Sequence, residues 1–543
     1  MEKSVFSRLD KIYLTDKLGI DLFNLARGAY NSLARDGIVP EGVNDAAFAG
    51  LIYENSLPSK FFSNSSQLKA FIKALPWGYQ EKIYAKFDID SIKWNDNLFT
   101  FLNQNFGLND RFKPIKENKF HSTEPILFFE KPTRIFKNLK QYQSVVFHKV
   151  YDYIKRTPSS RCIIQMPTGS GKTRTSMEII CEFLNEHDSS VVWLANSEEL
   201  IDQAFESFKE VWEFRGKKAM AAFNHMRMKK GTTFNSQGFH VNTLQGFNGK
   251  NGKFLIEELL NSEFSIGLVV VDEAHISIAP TYRETISKLV SKGGKLIGLT
   301  ATPGRSLNRF EEDKIDDNQQ LSNYYFNKLF QIDTGESPPI DFLRSRGILS
   351  NANFFSIEGS YVDSCLTESE KRNMHESKKI PAKILEQLSN DSRRNAIIID
   401  KLVKILATGK KILFFATSVD HSKVVSSLVN LIGYSAAHID GETGSSRAQI
   451  INRFKDGEIM LLSNFGVLTT GFDDPKIDVV FMARPTNSIV LYSQIIGRGL
   501  RGPGIGGTDT CDIYTVNDNI LDLPSNNEIY TYFDEYFLNT NAV

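Results

Sequence analysis

Short apolar runs and longer stretches of helical spacing alternate twice along this chain, and a segment without that rhythm separates the two regions. Between residues 130 and 305 the apolar runs fall at 161–166, 190–195, 218–223, 239–243, 266–271 and 295–300. Runs of about four to eight apolar residues suit strands buried on both faces, and helix-like stretches between them suit the crossovers of a parallel sheet. The rhythm returns from 391 to 520, with strands expected at 411–416, 434–439, 459–463, 478–483 and 511–515. Residues 306–390 are rich in Asn, Asp and Ser and are broken by Pro338-Pro339. They are expected to form a linker or insertion, a place for a hinge or a strand-separating element.

Residues 1–125 follow another pattern. Leu18, Leu22, Leu25, Ala26 and Tyr30 recur at helical spacing, and aromatic residues crowd the later part: Phe61, Phe62, Phe71, Trp77, Tyr79, Tyr84, Phe87, Trp94, Phe99, Phe101 and Phe106. This predicts a separate, mainly helical unit. Lys69, Lys73, Lys82 and Lys86 beside the aromatics suit a stacking surface for single strands, but a hydrophobic core with solvated lysines between explains the same spacing and is preferred. Docking of a partner protein is the other use open to such a unit. Glu117-Asn118-Lys119 superficially matches the end of a nuclease motif; without a flanking strand pair it reads as coincidence. The expected organisation is therefore α/β: a helical domain over 1–125, one parallel-sheet lobe over 126–305, the linker over 306–390, and a second lobe over 391–543 ending in the aromatic amphipathic segment Tyr530 to Phe537.

Composition sharpens this modestly. The 543 residues are 41% apolar, and 64 basic residues balance 64 acidic ones. Any nucleic-acid surface must then be a local patch, with binding that weakens as salt rises. Cys162, Cys181, Cys365 and Cys511 form no close pair, so they are read as reduced core residues rather than zinc ligands. No basic-then-apolar leader opens the sequence and no apolar run nears eighteen residues, so a soluble cytoplasmic protein with no membrane partner is expected.

The candidate chemistry lies at the ends of the expected strands. After the run Arg161 to Met166 comes Pro167-Thr168-Gly169-Ser170-Gly171-Lys172-Thr173. Two glycines let the backbone turn with its N–H groups inward, and the positive end of the following helix joins them in binding phosphate oxygens. Lys172 is placed to reach β- and γ-phosphates and Thr173 to ligate Mg²⁺. The full phosphate-loop pattern puts Gly where Met166 stands, a departure that the second site outweighs. Ile266 to Val271 delivers Asp272 and Glu273 at its carboxyl end, the first placed to hold Mg²⁺ and the second to orient or deprotonate water. A third string, Gln494-Ile495-Ile496-Gly497-Arg498-Gly499-Leu500-Arg501, puts two arginines three apart, expected on one helical face. A guanidinium fork stabilises charge on a transferring phosphoryl group, worth on the order of 10³ to 10⁵ in rate. These arginines lie more than three hundred residues from Lys172, and reach it only if a second lobe folds against the first.

Taken in order, these strings resemble the superfamily 2 helicases and translocases of DEAH-box type, most closely the RadD and XPB-like branch, over residues 130–520. The resemblance implies two RecA-like lobes, with Gln143 in Leu139-Lys140-Gln141-Tyr142-Gln143 as reader of the ATP base. It implies nucleotide contacts from Thr168, Gly169, Ser170, Gly171, Lys172, Thr173, Gly471 and Asp473. Nucleic-acid contacts are implied at Asn196, Thr243, Gln245, Thr417 and Thr469, and Thr300-Ala301-Thr302 matches the coupling motif. The basic stretches Arg215 to Lys218 and Arg227 to Lys230 are either further phosphate contacts or exposed loops. Expected ligands are ATP, Mg²⁺ and DNA, with 3′-to-5′ travel, in repair, recombination or defence against foreign DNA. A duplex translocase that never separates strands and an ATP-gated subunit docking a nuclease through residues 1–125 are the competing readings. The chain lacks the C-terminal cysteine cluster of RadD.

Overall fold

The computed structural model describes residues 4–57, 61–109, 112–114, 136–226, 237–301, 317–359, 380–468, 472, 474–486 and 489–518. Two sheets dominate it, and every strand pair in both is parallel. The first lobe holds β1 (Arg161–Gln165), β2 (Ser190–Ala195), β3 (Ala221–Asn224), β4 (Gly238–Thr243), β5 (Ile266–Asp272), β6 (Lys295–Thr300) and β7 (Leu329–Gln331) in the order β3-β4-β2-β5-β6-β1-β7. The second holds β8 (Asn351–Glu358), β9 (Ile412–Phe415), β10 (Ala436–Ile439), β11 (Leu461–Asn464), β12 (Val479–Met482) and β13 (Thr510–Asn517) in the order β10-β11-β9-β12-β13-β8. Central strands such as β2 and β9 are buried at every position, as continuous apolar runs between two helical layers require. Together they form two RecA-like lobes.

The segment 306–390 is more than a linker. It contains β7, which closes one edge of the first sheet against β1, and β8, which forms an edge of the second against β13. Both escaped the periodicity because edge strands are not enclosed on two faces: β7 is half-buried throughout, and β8 is largely exposed, with Phe354 and Phe355 reaching solvent.

The N-terminal region is helical as expected: Lys11–Leu18, Ile20–Arg35, Asp45–Ser56, Ser65–Ala74, Trp77–Tyr84 and Asp96–Phe106. Asn44, Asn64 and Asn95 each cap a helix by accepting from its first free N–H groups. Phe62 and Phe71 are fully buried and pack edge to face at 4.8 Å, so these aromatics are core; Trp77, at 64% exposure, is the exception. The expectation of a separate unit needs correction. Leu22, Leu25 and Ala29 of the helix Ile20–Arg35 share one hydrophobic cluster with Ile398, Ile399 and Leu402 of the helix Ser392–Leu406 and with Val424 and Leu428 of the helix Val419–Ile432. Asn430 donates to Asn55 at 2.9 Å across the same contact. The helical region is thus mounted on the second lobe, although the first lobe follows it in the chain. Among the described residues no helix is long and apolar enough to cross a membrane.

A close approach in this contact is at Gly28, where an added Cβ would lie 2.3 Å from Ser392 Oγ. Gly28→Leu is expected to force the two helices apart and lower stability by about 1–3 kcal/mol, read as a reduced urea midpoint, whereas Gly78→Leu, where nothing lies within 4 Å, leaves the midpoint in place.

Candidate active site

The candidate phosphate loop leaves the carboxyl end of β1 and enters the helix Lys172–Glu186. Gly169 and Gly171 have φ of +88° and +89°, conformations in which an L side chain is strained. Met166, where the longer pattern has Gly, is fully buried and donates its N–H to Thr300 of β6 at 3.1 Å; it extends the strand, so glycine's freedom is not required there. Ser170 is the loop's anchor. Its carbonyl accepts from Tyr142 Oη at 2.8 Å and from Gln143 Nε2 at 2.9 Å. Gln143 Oε1 accepts from the Lys140 N–H at 2.8 Å. The expected base reader is therefore first a brace on the loop, with one N–H and one lone pair of its amide left over. Tyr142 was not singled out by the sequence, where it reads as one more aromatic on a helix.

Strands β5, β6 and β1 are neighbours, which brings Asp272 and Glu273 beside the loop. Asp272 is buried and accepts the Glu273 N–H at 3.0 Å. Glu273 has φ +56°, unusual for any residue but glycine and of order 1–3 kcal/mol in strain. Strain of this kind persists where surrounding structure imposes it, here a turn that holds the carboxylate in the cleft with His275 Nδ1 at 3.5 Å. Burial and the neighbouring Glu273 charge push the Asp272 carboxyl well above the usual range, and Lys172 and Arg498 pull part of that back. Burial holds the Lys172 ammonium below its usual value, with Glu273 and Asp272 opposing and Arg498 and Arg501 adding to the effect.

Both arginines are in this cleft. An added Cβ on Gly169 would meet Arg501 Nη1 at 2.3 Å and the Leu349 side chain at 3.3 Å, so the guanidinium of the second lobe lies directly on the phosphate loop of the first. Arg501 donates to the Gly497 carbonyl at 2.9 Å and Arg498 to the Phe472 carbonyl at 2.5 Å. Their shared helical face is a correction: the helix Ile489–Ile496 ends before either residue. Gly497 to Gly499 turn the chain instead, and Gly499 packs so closely that a Cβ would lie 2.3 Å from Cys511 Sγ. Other contacts join the lobes. Arg447 pairs with Glu199, and Lys140 Nζ donates to the Gly504 carbonyl at 3.2 Å. Beside the loop, Arg174 lies 4.5 Å above the Phe136 ring and bonds Glu178, which also holds Arg215; sequence spacing gave no sign of this cluster.

The expected nucleic-acid residues divide. Asn196 and Gln245 are exposed at the carboxyl ends of the paired strands β2 and β4. Thr243 is buried and caps the helix Leu244–Asn248 through Gly246 N–H at 2.9 Å. Thr417 is 1% exposed and shares its hydroxyl with His421 Nδ1, which removes it from any surface. Thr469, Gly471 and Asp473, with Thr302, Arg227 to Lys230, Glu117 to Lys119 and Tyr530 to Phe537, lie outside the described residues. Lys217 and Lys218 pair with Glu182 and Asp188, so this basic stretch is balanced on its own lobe.

Residues 136–305 match the family model described as type III restriction enzyme, res subunit, and residues 397–502 match the helicase conserved C-terminal domain. The 51.5 kDa protein of a Lactococcus phage (isolate 7-9) is 25% identical over 340 residues, 62% of this chain and 62% of that protein. The putative ATP-dependent helicase IRC3 of Saccharomyces cerevisiae is 29% identical over 247 residues, 44% of this chain and 32% of its own length. The putative mitochondrial ATP-dependent helicase irc3 of Schizosaccharomyces pombe is 26% identical over 361 residues, 63% of this chain and 51% of its own length. This chain thus spans less than two thirds of each of these relatives. Among solved structures, the ATP-dependent type ISP restriction-modification enzyme LlaBIII bound to DNA aligns with a TM-score of 0.49 and 17% identity over 76% of this chain and 30% of that one. S. cerevisiae Dbp5 bound to RNA and ADP BeF3 aligns with a TM-score of 0.46 and 17% identity over 74% and 92%.

A raised carboxyl has a stability signature. Between the unfolded value of about 4 and the higher folded value, the folded chain keeps a proton that the unfolded chain has lost, so stability falls as pH rises through that window. Without metal or nucleotide, Asp272→Asn is expected to flatten this fall and to melt above the parent at pH 8, as measured by thermal unfolding across pH 4 to 8.

Proposed function

Taking the chain as a superfamily 2 helicase, which the two matched domains and the helicase-named relatives support, we propose that it hydrolyses ATP in the cleft between its lobes and uses the resulting motion to travel along or unwind DNA. The observation that carries this reading is Arg501 lying on the phosphate loop beside Lys172. A triphosphate on that loop meets backbone N–H groups and Lys172 from one lobe and two guanidiniums from the other. Charge building on the γ-phosphoryl group is best neutralised when the lobes are closed, so nucleotide favours closure and product release permits opening.

The donors suit Mg²⁺ in the way phosphate-loop sites use it. Among the described residues no three His, Cys, Asp or Glu side chains converge, but a cation shared with nucleotide phosphates takes only one or two protein oxygens. Asp272, with a carboxyl destabilised as an anion by burial and by Glu273, gains from a cation nearby, and Thr173 stands at the start of the following helix. When bound, Mg²⁺ offsets phosphate charge. Glu273, held in its strained turn, orients and deprotonates the attacking water.

A DNA substrate is favoured because the first lobe matches a restriction-enzyme subunit model, and Asn196 and Gln245 supply exposed polar groups on that lobe. Travel from 3′ to 5′, a DEAH-box assignment in the RadD and XPB-like branch, and service in repair, recombination or defence complete the proposal. Some relatives are named as RNA helicases, so RNA is the comparison to include. The helical region is proposed as the docking platform for a partner protein.

The test is ATP turnover with no nucleic acid, single-stranded DNA, duplex DNA, forked DNA and RNA, alongside strand displacement. Lys172→Ala and Glu273→Gln are each expected to lower turnover by at least about 10³-fold with folding intact. Turnover at the parent rate in either variant rejects the site. Stimulation by duplex without strand displacement selects a translocase that leaves strands paired, and stimulation by RNA alone removes the DNA assignment.

A further inference from the structure

Arg394 carries a charge with no access to solvent. It belongs to the helix Ser392–Leu406, and its side chain and that of Asp518 are both 0% exposed. Nε and Nη2 bond the two Asp518 oxygens at 2.7 Å each, and Nη2 also donates to the Ala483 carbonyl at 2.6 Å. Asp518 directly follows β13 and Ala483 directly follows β12. One guanidinium therefore ties a helix to the carboxyl ends of two adjacent strands.

Cohesion alone is a poor account of this arrangement. Apolar residues of similar volume usually serve a buried site as well as an ion pair or better, because desolvating two charges offsets their attraction. What apolar side chains cannot supply is a directional bond to the Ala483 carbonyl. That carbonyl opens the run Arg484-Pro485-Thr486, which leads into the helix Ile489–Ile496 and on to Arg498 and Arg501. The N–H groups of Ala483 and Arg484 both bond the Phe415 carbonyl of β9, so the run is held from a second side. The same helix that carries Arg394 also faces the N-terminal helices, through Ser392 against Gly28 and through Ile398, Ile399 and Leu402.

We propose that Arg394 is a positioning residue for the second-lobe half of the candidate ATP site: it sets where β12 releases the chain toward Arg498 and Arg501, and it makes that half and the N-terminal helical region one body. The proposal rests on the ATP-hydrolysis reading above. Its consequence is that a partner seated on the helical region is carried with the arginine pair, and that strain applied there reaches the cleft through one helix.

The experiment compares the full chain with the double variant Arg394→Met/Asp518→Leu and with Arg394→Lys, which keeps charge but loses the planar fork. Urea midpoint, kcat and KM for ATP, and amide exchange at Ala483 and Arg484 are measured for each. The double variant is expected to fold with a midpoint near the parent's, to keep KM within about twofold, and to lose at least about tenfold in kcat, with faster exchange at both amides. Arg394→Lys is expected to show the same split in smaller measure, and serves if the double variant does not fold. Parent kcat and parent exchange in either folded variant overturn the role of Arg394. If the parent hydrolyses no ATP, the function reading fails by itself. The exchange measurement then still decides the positioning role, since unchanged protection in a folded variant overturns it.

Discussion

A guanidinium resting on a glycine joins the two halves of this molecule. Gly169 has no Cβ, and the room this leaves on the phosphate loop is filled by Arg501 from the opposite lobe. Around that contact stand Lys172, Asp272, Glu273 and Arg498, which with Arg501 make five ionisable groups of both signs in a largely buried cleft. Such a cluster is costly unless its members offset one another, and the offsets seen here are partial: the Asp272 carboxyl stays raised and the Lys172 ammonium lowered. A ligand bringing several negative charges and a divalent cation would complete the balance. The electrostatics of the cleft and the proposed chemistry thus point in the same direction.

The second constraint is mechanical. The helical region precedes the first lobe in the chain but packs into the second, so any relative motion of the lobes carries it along. Several ties then converge on the second-lobe side: the shared core, the Arg394 bridge, and the buried pair of Lys411 with Asp474 at 2.7 Å. Arg498 holds the Phe472 carbonyl only two residues from that aspartate. These ties lie on the side of the lobe that faces the proposed nucleotide site. The contacts between lobes that involve side chains at the surface, such as Arg447 with Glu199, are partly exposed, so their separation costs less than breaking a buried pair.

Some of this was legible from residue order and some was not. The interior strands β1, β2, β4, β5 and β6 fall where short, largely apolar runs place them, because strands covered on both faces are mostly apolar, although β4 also buries His240, Asn242 and Thr243. The edge strands β7 and β8 carry no such signature, and by sequence alone they read as part of a linker. Thr243 and Thr417 matched nucleic-acid strings, yet one caps a helix and the other bonds a buried histidine; a hydroxyl's partner depends on what folds beside it. The two arginines were expected on a helix by their spacing, but the glycines around Arg498 end the helix and let the chain pass close to β13.

By itself the sequence determined two parallel α/β lobes, a helical region before them, and a glycine-rich loop and an acidic pair at strand ends. Periodicity and local backbone requirements suffice for these, since they act over a few residues. Only the tertiary structure decided that Arg501 covers Gly169, that Tyr142 and Gln143 brace Ser170, that Arg394 joins β12 to β13, and that the first hundred residues belong with the last lobe. Each of these is a contact between segments distant in the chain. Its energy depends on shape, burial and charge brought together by folding, quantities that no local pattern carries.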